Sequence, residues 1–90
     1  MWYLVERYTP SLGHAQVAIA VSRLCALAAP EVSHVWTVLI PGEETCLSLF
    51  TAATAAAVAD ANLEAGFAFT RIIPAVAFAA TALPRKDNEP

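Results

Sequence analysis

Charge is what this chain has least of. Of its 90 residues, 14% are Asp, Glu, Lys or Arg and 58% are hydrophobic, against roughly 25% charged in ordinary soluble proteins. A chain of this length forms one domain and has little interior in which to hide so much apolar surface. That surplus predicts a homodimer rather than a monomer. The basic residues Arg7, Arg23, Arg71, Arg85 and Lys86 are scattered, only the last two adjoin, and the net charge is −3. With no basic stripe and no interleaved aromatics, nucleic-acid binding is excluded as a reading.

Glycine is scarce too, with three in the chain. That rules out a phosphate-cradling loop, and no P-loop, dinucleotide-binding glycine pattern, G-x-S-x-G or H-E-x-x-H is present. Hydrolase, kinase and dehydrogenase readings therefore lack support. The two cysteines, Cys25 and Cys46, make neither a disulfide framework nor a C-x-x-C motif. They read as buried, reduced thiols of a cytoplasmic protein. Metal sites usually need three or four convergent ligands, and His14, His34 and the two cysteines show no ligand spacing. A membrane helix needs about 20 predominantly apolar residues. The stretch from Ala15 to Ala29 is too short and holds Gln16 and Arg23, while the run from Ala65 to Leu83 is cut by Arg71 and Pro74. The opening "MWYLVERYTP" places Glu6 and Arg7 where a signal peptide has its apolar core. A soluble protein with no membrane partner is expected.

What is present has a clear order. "WYLVERY" is aromatic and β-branched, stops at Thr9-Pro10, and reads as a first strand. A helix follows from about His14 to Ala29, with Ser11 as a candidate cap and Pro30 beyond its end. Val17, Val21, Leu24 and Ala28 share its inner face, and Gln16 and Arg23 lie opposite. Ile19 and Leu27 flank Arg23 on the outer side, which predicts that the helix touches something besides its own sheet. "VSHVWTVLIP" and "ETCLSLFT" form a hairpin through the "PGEE" connection. The alanine-rich stretch after them reads as a three-turn helix, capped by Thr51 or Thr54 and closed by Gly66. "TRIIPAVAF" is a fourth strand, at an edge or a bulge because of Pro74. Residues 81–90 read as a disordered tail, leaving 1–80 as the domain.

The order β-α-β-β-α-β is the split-βαβ, ferredoxin-like arrangement: an α+β fold with a four-stranded antiparallel sheet and two helices on one face. A sheet with one wet face should alternate apolar and polar residues. Here Val35, Thr37 and Leu39 oppose His34, Trp36, Val38 and Ile40, so both faces look buried, and a second subunit is expected over the helix-free one.

Candidate site residues are few. Asn62 falls in the middle of the second helix's inward face, expected to be built from Ala55, Val58, Ala59 and Leu63, while Asp60 and Glu64 point to water. A buried amide without partners costs about 1–3 kcal/mol, so Asn62 is either satisfied by backbone or lines a site. His34, two residues before Trp36 and so on the same face, is the better candidate of the two histidines for a ligand or proton carrier. Glu6 either pairs with an arginine or faces a cavity.

The pieces "YLVER" near the start, Trp36 on the second strand, "CLS" on the third and "EAGF" closing the second helix occur in that order. In this the chain resembles a small ferredoxin-like domain family of unknown function that includes nickel-binding bacterial proteins, over about residues 3 to 78. The resemblance implies a homodimer of the α/β-barrel type. It also implies a metal site with a histidine near the end of helix two and an acid just after the strand-three cysteine. Those positions here are Asn62 and Leu49, and neither supplies a good donor for a divalent transition metal. Glu6 and Cys46 do match. Nickel is therefore disfavoured as a cofactor.

The function expected is that of a dimeric, non-enzymatic binding protein whose cavity lies between helices and sheet or between the two sheets, for a ligand that Trp36, Phe50 and Phe67 suggest is small and apolar. Glu6, His34, Trp36, Cys46 and Asn62 are its candidate ligand-binding residues; no catalytic or metal-ligating set is assigned. The alternatives are a metal-binding protein, as in the family resembled, and a cofactor-free monooxygenase or isomerase, which rests on fold analogy alone.

Overall fold

A computed structural model describes residues 1–27 and 31–78. The elements are β1 (Trp2–Tyr8), α1 (His14–Ala26), β2 (Val32–Ile40), a 3-10 turn (Pro41–Glu43), β3 (Thr45–Ala52), α2 (Ala55–Glu64) and β4 (Arg71–Ala75). The strands make one antiparallel sheet in the order β2-β3-β1-β4. This is the α+β, ferredoxin-like arrangement that the element order predicts. α1 ends at Ala26 with Leu27 as its C-cap, and β4 ends at Ala75, three residues short of the expected strand; the tail from 81 onward falls outside the described residues.

Period-2 alternation decides which side of the sheet is dry. Tyr3, Val5 and Arg7 of β1 and Cys46, Ser48, Phe50 and Ala52 of β3 are all buried on one side. There they meet Val17, Ala20 and Leu24 of α1 and Val58 of α2 in a single core. β4, which carries Pro74, is an edge strand, as a residue without an N–H requires. Its Ile72 stands opposite Val5 on the helix side.

The other side of the sheet has no cover among the described residues. Leu4 stands beside Leu49 and Ile73, Leu49 beside Trp36, and Leu47 beside Val38. Trp36 is 40% exposed and Val38 45%. No described helix is long and apolar enough to cross a membrane.

Helix ends follow local chemistry. Gly13, rather than Ser11, is the N-cap of α1, and its N–H donates to Gln16 Oε1 at 3.0 Å. Thr54 caps α2 by accepting the Ala57 N–H at 3.2 Å. Gly66 takes a φ of 71° just past the end of α2, the left-handed conformation that glycine adopts without strain. One detail of α2 departs from expectation: Leu63 is 66% exposed and Ala55 is exposed too, so the inward stripe is Val58, Asn62 and Ala65. The helix is rotated so that its only sizeable inward polar group, Asn62, has a partner below it.

Replacing Thr54 by alanine removes the one side-chain cap of α2 and is expected to lower the unfolding free energy by about 1 kcal/mol, while Thr54→Asp keeps it nearly unchanged. Urea-denaturation midpoints of the two variants test this.

Candidate functional site

An arginine sits at the centre of the helix-facing side. Arg7 follows Tyr3 and Val5 along β1 and is 1% exposed. Its Nη1 donates to the carbonyls of Phe67 (3.2 Å) and Ala68 (3.3 Å). Its Nη2 donates to Ser48 Oγ (2.9 Å) and Asn62 Oδ1 (2.8 Å). The guanidinium carbon lies 3.6 Å from the centroid of the Phe67 ring, a cation–π contact. None of these acceptors is charged, and Arg7 Nε has no partner among the described residues. Burial disfavours the charged form and brings the Arg7 pKa down to about 10, which leaves it protonated at neutral pH.

Polar groups continue outward from Arg7 in both directions. Asn62, fully buried, donates from Nδ2 to the Val58 carbonyl at 2.8 Å while accepting from Arg7. On the other side Ser48 Oγ lies 2.7 Å from Thr37 Oγ1, and Thr37 Oγ1 lies 2.7 Å from His34 Nε2. His34 Nδ1 is 3.9 Å from Cys25 Sγ. The His34 ring stands edge-on to Phe50, with centroids 5.4 Å apart. Burial, and then the positive charge of Arg7, push the His34 pKa below its usual 6.5, so the ring is neutral at pH 7. Cys46 faces Arg7 across the β1–β3 pair. Burial pushes its thiol upward more than Arg7 pulls it down, so it stays protonated.

A backbone irregularity makes this chain of contacts. Strict alternation would put His34 on one face of β2 and Thr37 on the other. The β2–β3 register slips between His34 and Trp36: Val35 is the extra residue of a bulge. His34 therefore pairs with Phe50 and Thr37 with Ser48, both on the helix side, while Trp36 pairs with Leu49 on the open side. The expectation that His34 and Trp36 share a face fails for this reason.

The expected site residues thus divide between two faces. His34, Cys46 and Asn62 come together around Arg7. Glu6 and Trp36 lie on the open face, where Glu6 Oε1 accepts from Arg71 Nε in an exposed ion pair at 2.6 Å. Cys25, expected to be buried, is exposed. Leu49 and Asn62, the positions matched to family metal ligands, lie on opposite sides of the sheet, so they do not converge within one subunit. Among the described residues no three of His, Cys, Asp and Glu cluster. Sequence reasoning missed Arg7, Ser48 and Thr37. The signal for Arg7 was its place two residues beyond Tyr3 and Val5, on the same face of the strand.

Between α1 and β2 lies a cleft of about 440 Å³. His14, Val17, Ala18 and Val21 form its helical wall, and Thr37, Leu39 and Pro41 the opposite one. Thr37 thus joins an otherwise apolar wall to the buried polar chain.

Neither a family model nor a curated protein matches this chain. Among solved structures, the crystal structure of SCO4226 from Streptomyces coelicolor A3(2) superposes with a TM-score of 0.76 at 17% identity, covering 88% of this chain and 100% of that one. At that identity the likeness shows the fold alone. It supports the ferredoxin-like α+β architecture.

Two outcomes are expected here. Asn62→Ala strips Arg7 of one acceptor and opens a void beside it, and it should cost roughly 2–4 kcal/mol of unfolding free energy, measured by denaturant titration. His34 has a folded pKa below 6.5, so the unfolded chain takes up its proton first. Its contribution to stability is complete above pH 6.5 and shrinks as pH falls below that value. His34→Gln should flatten that part of the stability-against-pH curve.

Proposed function

We propose that this protein is a homodimeric, non-enzymatic small-molecule-binding protein. Two copies pack their helix-free sheet faces together in the manner of a dimeric α/β-barrel. Each subunit takes a small, largely apolar ligand in the cleft between α1 and β2. The observation that carries the ligand reading is Thr37. It is the polar side chain on the β2 wall of that cleft, and its hydroxyl is held in place through Ser48 by the buried Arg7. Ligand pockets of this kind are mostly apolar with a few oriented polar groups, at volumes of about 300–1,000 Å³.

The dimer rests on the open face. Contiguous exposed apolar surface of this kind marks an interaction site, and a two-fold axis sets the same patch against itself. Trp36, Val38, Leu47 and Leu49 form its centre, with the Glu6–Arg71 pair toward the β4 side. Nickel stays outside the proposal, because Leu49 and Asn62 stand where the family resembled has its ligands. A cytoplasmic setting fits two cysteines that form no disulfide.

Sedimentation at micromolar concentration should report a dimer, and Val38→Asp should convert it to a monomer; a compact wild-type monomer would overturn this part. Native mass spectrometry of protein purified without metal or affinity tag reads the bound mass. Thr37→Val is expected to lose most of that mass without changing the subunit number. Calorimetry with nickel should show only weak, histidine-dependent binding, and stoichiometric sub-micromolar binding would reverse the assignment.

A further inference from the structure

The outer flank of α1 carries apolar residues that neither the core nor the α1–β2 cleft uses. Ile19 is 54% exposed and Leu12, in the loop before the helix, 38%. Both line a second groove, of about 490 Å³, between this flank and the loop joining α2 to β4. Its far wall is Gly66, Phe67 and Ala68.

The groove is electrically one-sided. Arg23 lies on its wall, and among the described residues no carboxylate lines it. Among the described residues Arg23 makes no ion pair, since the one salt bridge joins Glu6 and Arg71. Its Nη1 lies 3.9 Å from the place a Cβ on Gly66 would occupy, so the guanidinium leans across toward the α2–β4 loop. Behind that loop the charge of Arg7 rests against the Phe67 ring, balanced by neutral acceptors only. Arg23 is thus the cation on the groove wall, and the buried Arg7 lies behind the Phe67 ring.

A second observation comes from Thr9, also on the groove wall. The residue is 5% exposed, and its hydroxyl has no hydrogen-bond partner among the described residues. Buried hydroxyls in native proteins are nearly always paired, and a head-group oxygen in this groove is a candidate partner.

We propose that this groove is a second binding site, for a small amphipathic carboxylate whose hydrocarbon chain lies along Leu12, Ile19 and Ala20 and whose head group pairs with Arg23. A guanidinium meets a carboxylate through two parallel N–H donors, and the apolar walls accept the chain. The site is separate from the α1–β2 cleft and stands or falls independently of it.

Calorimetric titration of the full chain with octanoate, and separately with the neutral 1-octanol, tests the assignment. Octanoate should bind about tenfold more tightly than 1-octanol, and added salt should weaken it because the pair is exposed. Arg23→Gln should bring octanoate down to the level of 1-octanol, Arg23→Lys should restore part of the difference, and circular dichroism should show both variants folded. Thr37→Val, in the other cleft, should leave octanoate binding unchanged. The proposal is overturned if octanoate fails to bind at millimolar concentration or the two probes bind alike. It is equally overturned if Arg23→Gln leaves octanoate affinity intact, or if Thr37→Val removes it.

Discussion

The buried guanidinium of Arg7 organises the helix-facing half of this protein. A cation that has left water needs its donors engaged, because the cost of its desolvation is several kcal/mol even after relaxation. Arg7 engages both Nη1 and Nη2 without a carboxylate, on Ser48 of β3, Asn62 of α2 and two carbonyls of the α2–β4 loop, and rests on that loop's aromatic ring. The same contacts tie α2 and its following loop to the sheet. Asn62 faces inward onto Arg7, and the buried Ser48 accepts from it. Through Ser48 the orientation passes to Thr37 and His34, so the polar wall of the α1–β2 cleft is set from the centre of the core outward.

The bulge at Val35 is the second constraint. One extra residue in β2 brings a histidine and a threonine three positions apart onto the same face. Without it either His34 or Thr37 would point to the open side, and the chain of hydrogen bonds would stop at Ser48. The neutral state of His34 follows from the same placement, since the ring is partly desolvated and within reach of the charge on Arg7.

The two faces of the sheet then differ in kind. The helix side combines a polar centre built around Arg7 with an apolar core. The open side presents Trp36, Val38, Leu4 and Leu49, with the Glu6–Arg71 pair toward β4. A chain with 14% charged residues has few charged groups to spread over both faces, and the open face is the apolar one.

By itself the sequence determined the element order, the antiparallel sheet and the inward direction of Asn62, and it narrowed the Pro74 strand to an edge or a bulge. All of these follow from local periodicity, turn residues and caps, which act over a few residues. Only the tertiary structure decided that Arg7 is the hub, that His34 and Trp36 part company, that Cys25 is exposed and that Leu49 and Asn62 lie on opposite sides. Arg7 reads as one more scattered cation until residues 41, 55 and 60 positions away in the chain supply its acceptors. A β-bulge leaves no fixed mark in composition, since any residue can be the extra one, yet it reverses the face of every residue before it relative to every residue after it. Long-range partners and register are properties of the assembled sheet, and that is where the site was made.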